Sequence, residues 1–167
     1  MILSIKSGVL IGSLILTGLS AGLFYAWSVS VIPGTRKLTD LTYLETMQSI
    51  NRAILNPAFF AIFFGSLILL GISSIYQFQS HREVFGLMLA AAVVYLIGTV
   101  GVTGLGNVPL NNQLDAMDLG EASTTKLAEF RAHYESQWNW WHSLRTAFAV
   151  LSFLLAVLSL FLEVKKS

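Results

Sequence analysis

The run SGVLIGSLILTGLSAGLFYAWSVSVI, residues 7–32, holds no charged side chain, and no charge falls anywhere between Lys6 and Arg36. A helix of this length, rising about 1.5 Å per residue, crosses a hydrocarbon core about 30 Å thick. A cleaved leader would carry an apolar stretch of only about 7–15 residues before a small-residue cleavage site. This run is longer and ends at Pro33-Gly34, so it reads as a retained membrane helix. Three further spans follow, at about 57–78, 84–105 and 138–162. The second opens on Pro57, which suits a first helical turn, and the last stops at Glu163, Lys165 and Lys166. The composition agrees. Of 167 residues, 11% are charged and 54% apolar, whereas a soluble domain is about 25% charged. Mean hydropathy is +0.68. A chain this short cannot enclose so much apolar surface in one soluble core, and it is too hydrophobic for disorder. A net charge of +1 gives no footprint for nucleic acid, and the absence of cysteine removes thiolate chemistry. The expected fold is all-α, an integral membrane four-helix bundle in which residues 1–167 form one four-span domain, with the lipid bilayer as its partner.

The connections are unequal. A tight turn, Gln79-Ser80-His81-Arg82-Glu83, joins the middle spans. The other two connections, at about 33–56 and 106–137, are long and lie on the same side. Each holds an amphipathic stretch. In the first, Leu38, Leu41, Leu44, Met47, Ile50 and Ile54 recur at helical spacing. In the second, Ser123 leads into residues 124–137, where Leu127, Phe130 and Tyr134 share a face. These predict interfacial or extramembrane helices feeding spans two and four. Lys6, Arg82, Lys165 and Lys166 crowd the short segments, while the basic residues of the long connections are dispersed among acids. By the positive-inside rule both termini are cytoplasmic. Gly8-x3-Gly12 and Gly18-x3-Gly22 in span one, with Ala149, Ser152, Ala156 and Ser159 in span four, are small-residue seams. They predict packing within the chain first and a homo-oligomer second.

Polar residues gather at one level. Span one delivers Tyr25, Trp27, Ser28 and Ser30 there, and the approach to span two Gln48, Asn51, Arg52 and Asn56. Span three adds Asn107, Asn111, Asn112 and Asp115, and span four Trp138, Asn139, Trp140, Trp141, His142 and Arg145. Arg145 sits about 10 Å inside span four, at about 1.5 Å per residue. Its helical face (Trp138, His142, Arg145, Ala149, Ser152) should look into the bundle, so it needs a carboxylate or an anionic ligand as partner. His142 lies one turn earlier on that face, where a neutral imidazole can act as general base or haem ligand. The tryptophans can also be read as an interfacial belt, and Phe59, Phe60, Phe63 and Phe64 as lipid-facing or core residues. His81 and His133 lie elsewhere, and no zinc, di-iron, triad or phosphate-loop pattern occurs.

Four motifs recur together: GLFYAWSVSVIPG at 22–34, MQSINRAILNP at 47–57, GNVPLN at 106–111 and WNWWHSLRT at 138–146. In this order and spacing they resemble the anthrone oxygenase-like family of small four-helix integral membrane proteins, which is mostly bacterial. The resemblance covers nearly the whole chain and implies a bacterial inner-membrane setting. Named members oxidise an anthrone to an anthraquinone with O2 and no classical cofactor. Carried over, that chemistry implies His142 as the base, with Arg145 and Asn107 or Asn111 steadying the oxyanion.

Three readings of function follow. The first is a redox protein of the outer membrane face that reacts with oxygen or reactive oxygen species. His142 would ligate haem b as its metal ligand, Arg52 or Arg145 would hold the propionates, and Asn51, Tyr25, Trp138 and Trp141 would frame the group. The second is the cofactor-independent oxygenase, acting on an anthrone or hydroquinone. The third is a non-catalytic scaffold for lipid or a quinone-like aromatic small molecule.

Overall fold

The computed structural model describes residues 5–78 and 81–166. These form five helices: α1 (Ile5–Thr35), α2 (Asp40–Ala53), α3 (Pro57–Gln77), α4 (Arg82–Asp115) and α5 (Thr124–Lys166). All but α2 are long and apolar enough to cross a membrane. The protein is an all-α integral membrane bundle. The four long helices form a ring, in which α1 packs on α3 and α5, and α4 on the same two. Large apolar side chains such as Ile15, Leu19, Ile68, Ile97, Leu154 and Phe161 cover the outside. Such a surface is stable only in lipid. Gln79 and Ser80 of the expected tight turn lie outside the described residues.

Many polar groups inside the bundle are small hydroxyls that hydrogen-bond, although Ser73 Oγ and Thr99 Oγ1 are buried without a partner. Ser20 and the Tyr95 hydroxyl, 2.7 Å apart, tie α1 to α4. Ser152 donates to the Ala91 carbonyl at 2.8 Å. The small-residue face of span four, Ala149, Ser152, Ala156 and Ser159, is buried within the chain. The glycines most tightly covered by a neighbouring side chain are not the glycine pairs of span one. They lie between α4 and α5, where a side chain on Gly98 would run into Phe148 and one on Gly106 into the Trp141 ring.

The helices overrun two expected boundaries. Span one was expected to end at Pro33 and span three near residue 105, yet Pro33 and Pro109 both lie inside helices. A proline ring normally collides with the carbonyl four residues earlier. Here a widened π-turn precedes each proline, at Trp27–Val31 and Thr103–Asn107, with Ile32 N–H bonding Trp27 O and Val108 N–H bonding Thr103 O. The wider turn displaces the carbonyls that the ring would meet. A third π-turn, Tyr95–Gly101, lies earlier in α4.

The two long connections build a cap rather than separate surface helices. Thr39 caps α2, its hydroxyl accepting from Thr42 N–H, and Ser123 does the same for Lys126 N–H at the start of α5. From there α5 runs unbroken into the bundle. Tyr43, Leu44 and Met47 of α2 bury themselves with Leu110, Leu114, Leu119, Leu127, Tyr134 and Trp138. The apolar face of α2 therefore meets protein, not headgroups. Arg131 locks this layer. It donates to the carbonyls of Leu38 (2.7 Å) and Arg36 (2.9 Å), pairs with Asp40 and Glu135 at 3.0 Å each, and lies over the Tyr43 ring.

Candidate functional site

Where cap meets bundle, five helices enclose a cavity of about 220 Å³. Its walls are mainly aromatic and aliphatic: Phe24 and Trp27 from α1, Ile50 and Ile54 from α2, Phe59, Phe60, Phe63 and Phe64 from α3, Val100 and Val108 from α4, and Trp138 from α5. Polar groups are few: Asn51, Thr103, Asn111 and Arg145. All three π-turns supply wall residues, respectively Trp27, Val100 and Thr103. Single π-turns within helices are frequent at functional sites.

Arg145 is 8% exposed, and among the described residues no carboxylate pairs with it. Its guanidinium lies 4.6 Å from the Phe24 ring centre and 5.2 Å from that of Trp138. Nε and Nη2 donate to His142 Nδ1 at 3.2 and 3.0 Å, and Nη1 to Thr103 Oγ1 at 3.4 Å. N–H donors remain uncommitted on both terminal nitrogens. The carboxylate expected as its partner is thus absent among the described residues, and the open side of the charge faces the cavity.

His142 is fully buried and does not line the cavity. Its ring stacks on Trp138, with centroids 5.1 Å apart and planes 8° from parallel. Its tautomer follows from its partners. Arginine only donates, so Nδ1 carries the lone pair; Nε2 carries the proton and gives it to Phe24 O at 3.1 Å and Ser28 Oγ at 3.0 Å. Both nitrogens are committed. An axial haem ligand must present its nitrogen lone pair to the iron, but His142 stands off the cavity, and a haem needs a larger chamber than this one, which falls below the roughly 300–1,000 Å³ of drug-sized pockets. The residues present do not fit a haem held by His142.

The remaining expected residues divide. Asn51 donates to the Tyr134 hydroxyl (3.0 Å), which donates to Asn111 Oδ1 (3.2 Å); the same oxygen accepts from Trp138 Nε1 at 2.8 Å. These four form one network on the cavity wall. Asn107 is buried beside it, donating to the Trp138 carbonyl at 3.1 Å, and its Oδ1 has no partner. Trp141 packs against Gly106 and Trp140, off the cavity. Arg52 and Tyr25 are not brought in. Arg52, its side chain 63% exposed, pairs with Asp115 at 2.6 Å on the cap surface. Tyr25 is 59% exposed on the outside of α1. Helical rotation thus turns Arg52 and Tyr25 away from the cavity.

A protein-family model described as anthrone oxygenase matches residues 58–155. The chain belongs to the anthrone oxygenase family. No curated protein and no solved structure matches it. The family match runs from α3 to the middle of α5 and takes in Asn107, Asn111, Trp138, His142 and Arg145. The cavity's other wall, Phe24 and Trp27 of α1, lies outside the matched residues. Sequence reasoning missed Thr103 altogether, and it did not use the Phe24 carbonyl, since a backbone acceptor has no sequence signature. Trp27 Nε1, buried without a partner, is a further donor in a residue that lines the cavity.

Proposed function

We propose that the protein is a membrane oxygenase that needs no metal or organic cofactor and oxidises a planar aromatic that can form an oxyanion, an enolisable anthrone or a hydroquinone. The observation that carries this reading is Arg145, a buried cation with no acidic partner, facing an aromatic-walled cavity. A flat aromatic fits the walls, and an oxyanion fits the guanidinium. Family membership supports the same chemistry.

The substrate oxygen would rest on the uncommitted N–H groups of Arg145. As negative charge develops there, the guanidinium turns its hydrogen bonds from His142 Nδ1 to the oxyanion. His142 stands off the cavity, so the freed Nδ1 lone pair takes the proton through one water. The C–H bond breaks, its electron pair moves onto the oxygen, and the enolate is an electron donor to O2. For an anthrone, one substrate and one O2 yield one anthraquinone and one water. One oxygen atom enters the ring carbonyl and the other leaves as water, so O2 is the only oxidant required.

Protein reconstituted in lipid nanodiscs should consume O2 on addition of anthrone, above the autoxidation rate of protein-free discs. Equal rates with and without protein across enolisable anthrones and hydroquinones would falsify the oxygenase reading. Binding of the same aromatics without turnover would then leave a scaffold for a quinone-like molecule. We place the site in a bacterial inner membrane, on the face opposite two cytoplasmic termini, on the strength of the Lys and Arg distribution.

A further inference from the structure

We propose that the cavity is filled sideways from the bilayer, through a gap between α3 and α4, so that its ligand is an aromatic dissolved in lipid rather than in water. This rests on the cavity being a substrate site and adds the phase from which the substrate comes.

Four observations point to the gap. Phe60 and Phe64 of α3, with Gly104 and Val108 of α4, line the cavity and are also exposed on the outer surface of the protein. The two helices pack closely beside the first half of α4, over Arg82–Val94. They barely touch along Tyr95–Gly101 and part beyond it. A side chain added at Gly104 would meet nothing within 4 Å. Around the opening the surface is apolar, with Ile68 below on α3 and Leu105 beside it on α4. The water-facing route is roofed by the cap, where Leu110, Leu114, Tyr134 and Trp138 are buried together. An oily doorway leading to an unpaired cation selects one kind of molecule: a flat aromatic, apolar enough to partition into lipid, with an oxygen that can become anionic.

A gate differs from a binding contact in its kinetics. Narrowing a gate slows entry and exit together and leaves affinity nearly unchanged, whereas removing a contact raises the exit rate. The test uses nanodiscs and quenching of intrinsic tryptophan fluorescence by dihydroxyanthraquinone, a planar phenol that is not consumed. Gly104→Leu should slow association and dissociation alike, on the order of tenfold. Phe64→Trp, which narrows the gap from the other helix, should do the same. Gly86→Leu, on the same helix but away from the cavity and with nothing within 4 Å of an added side chain, should behave as the parent, and Arg145→Gln should speed dissociation instead. Binding should follow the mole fraction of probe in lipid, and its disulfonated, membrane-impermeant counterpart should not compete.

Association rates unchanged in both Gly104→Leu and Phe64→Trp would overturn the gap, as would equal competition by the disulfonate. Quenching by brominated-acyl lipid that Arg145→Gln leaves untouched would make the occupant a lipid chain and overturn the aromatic. The two proposals fail separately. Gated binding without O2 consumption removes the oxygenase and keeps the portal. O2 consumption that Gly104→Leu leaves unaltered does the reverse.

Discussion

Arg145 and His142 divide the work that the sequence assigned to either one. A histidine and an arginine three residues apart on a helix share a face, so their meeting was legible from spacing alone. Their hydrogen bond was not, and it decides which group meets the ligand. His142 aligns the guanidinium, and Arg145 faces the cavity. His142→Ala should therefore lower O2 consumption by about 10²–10⁴-fold, the usual worth of a general base. Arg145→Lys should also lose activity despite keeping the charge, because an ammonium lacks the planar fork that can stay on Thr103 while passing its other hydrogen bonds from His142 to an oxyanion. A steady-state assay with varied anthrone checks both. Activity in Arg145→Lys near that of the parent would remove the guanidinium from the mechanism. Arg52 and Tyr25 show the limit of such reading. Sequence proximity to Asn51 and Phe24 placed them at the right level, but level along the axis is not direction around it.

At the scale of elements, the prolines are the instructive case. Proline ends helices by a sound steric rule, yet α1 runs through Pro33 and α4 through Pro109. The rule assumes a regular α-helix, and a π-turn before each proline lifts the assumption. The same widened turns carry Trp27 and Thr103 into the cavity wall. The close α4–α5 seam gives a stability prediction. Gly106→Ala should destabilise the protein by about 1–3 kcal/mol through overpacking against Trp141, seen as a lower thermal midpoint in detergent. Gly8→Ala, with nothing within 4 Å, should not. The cap makes a pH prediction. Burial, then the negative charge of Glu135, raises the Tyr43 phenol well above its ordinary range. The folded cap thus holds the phenol proton more tightly than the unfolded chain does. The resulting stability is intact below about pH 10, the unfolded value, and declines as pH rises beyond it. Tyr43→Phe should flatten that alkaline decline in a pH series of thermal midpoints. An unchanged slope would mean that Tyr43 is not what makes the cap sensitive.

Across the whole molecule, the scarcity of charge named the solvent, and the Lys and Arg distribution is what the proposed orientation rests on. Four crossings put the chain ends on one face and the cap, with the cavity beneath it, on the other. That much follows from counting apolar runs, because lipid leaves a helix no alternative to satisfying its own backbone. What counting could not give is that the connections fold onto each other, since Arg131 reaches back across some ninety residues of chain to Leu38 and Asp40. The absence of cysteine makes the orientation directly testable. Glu121, in the cap loop, and Lys165, near the end of α5, are both exposed, so each accepts a single cysteine without touching the core. In right-side-out vesicles a membrane-impermeant maleimide should label Glu121→Cys at once and Lys165→Cys only after permeabilisation. The opposite pattern would invert the protein and put the cap in the cytoplasm. Labelling of both in sealed vesicles would require an odd number of crossings between the two sites to become even, and would break the four-span bundle itself.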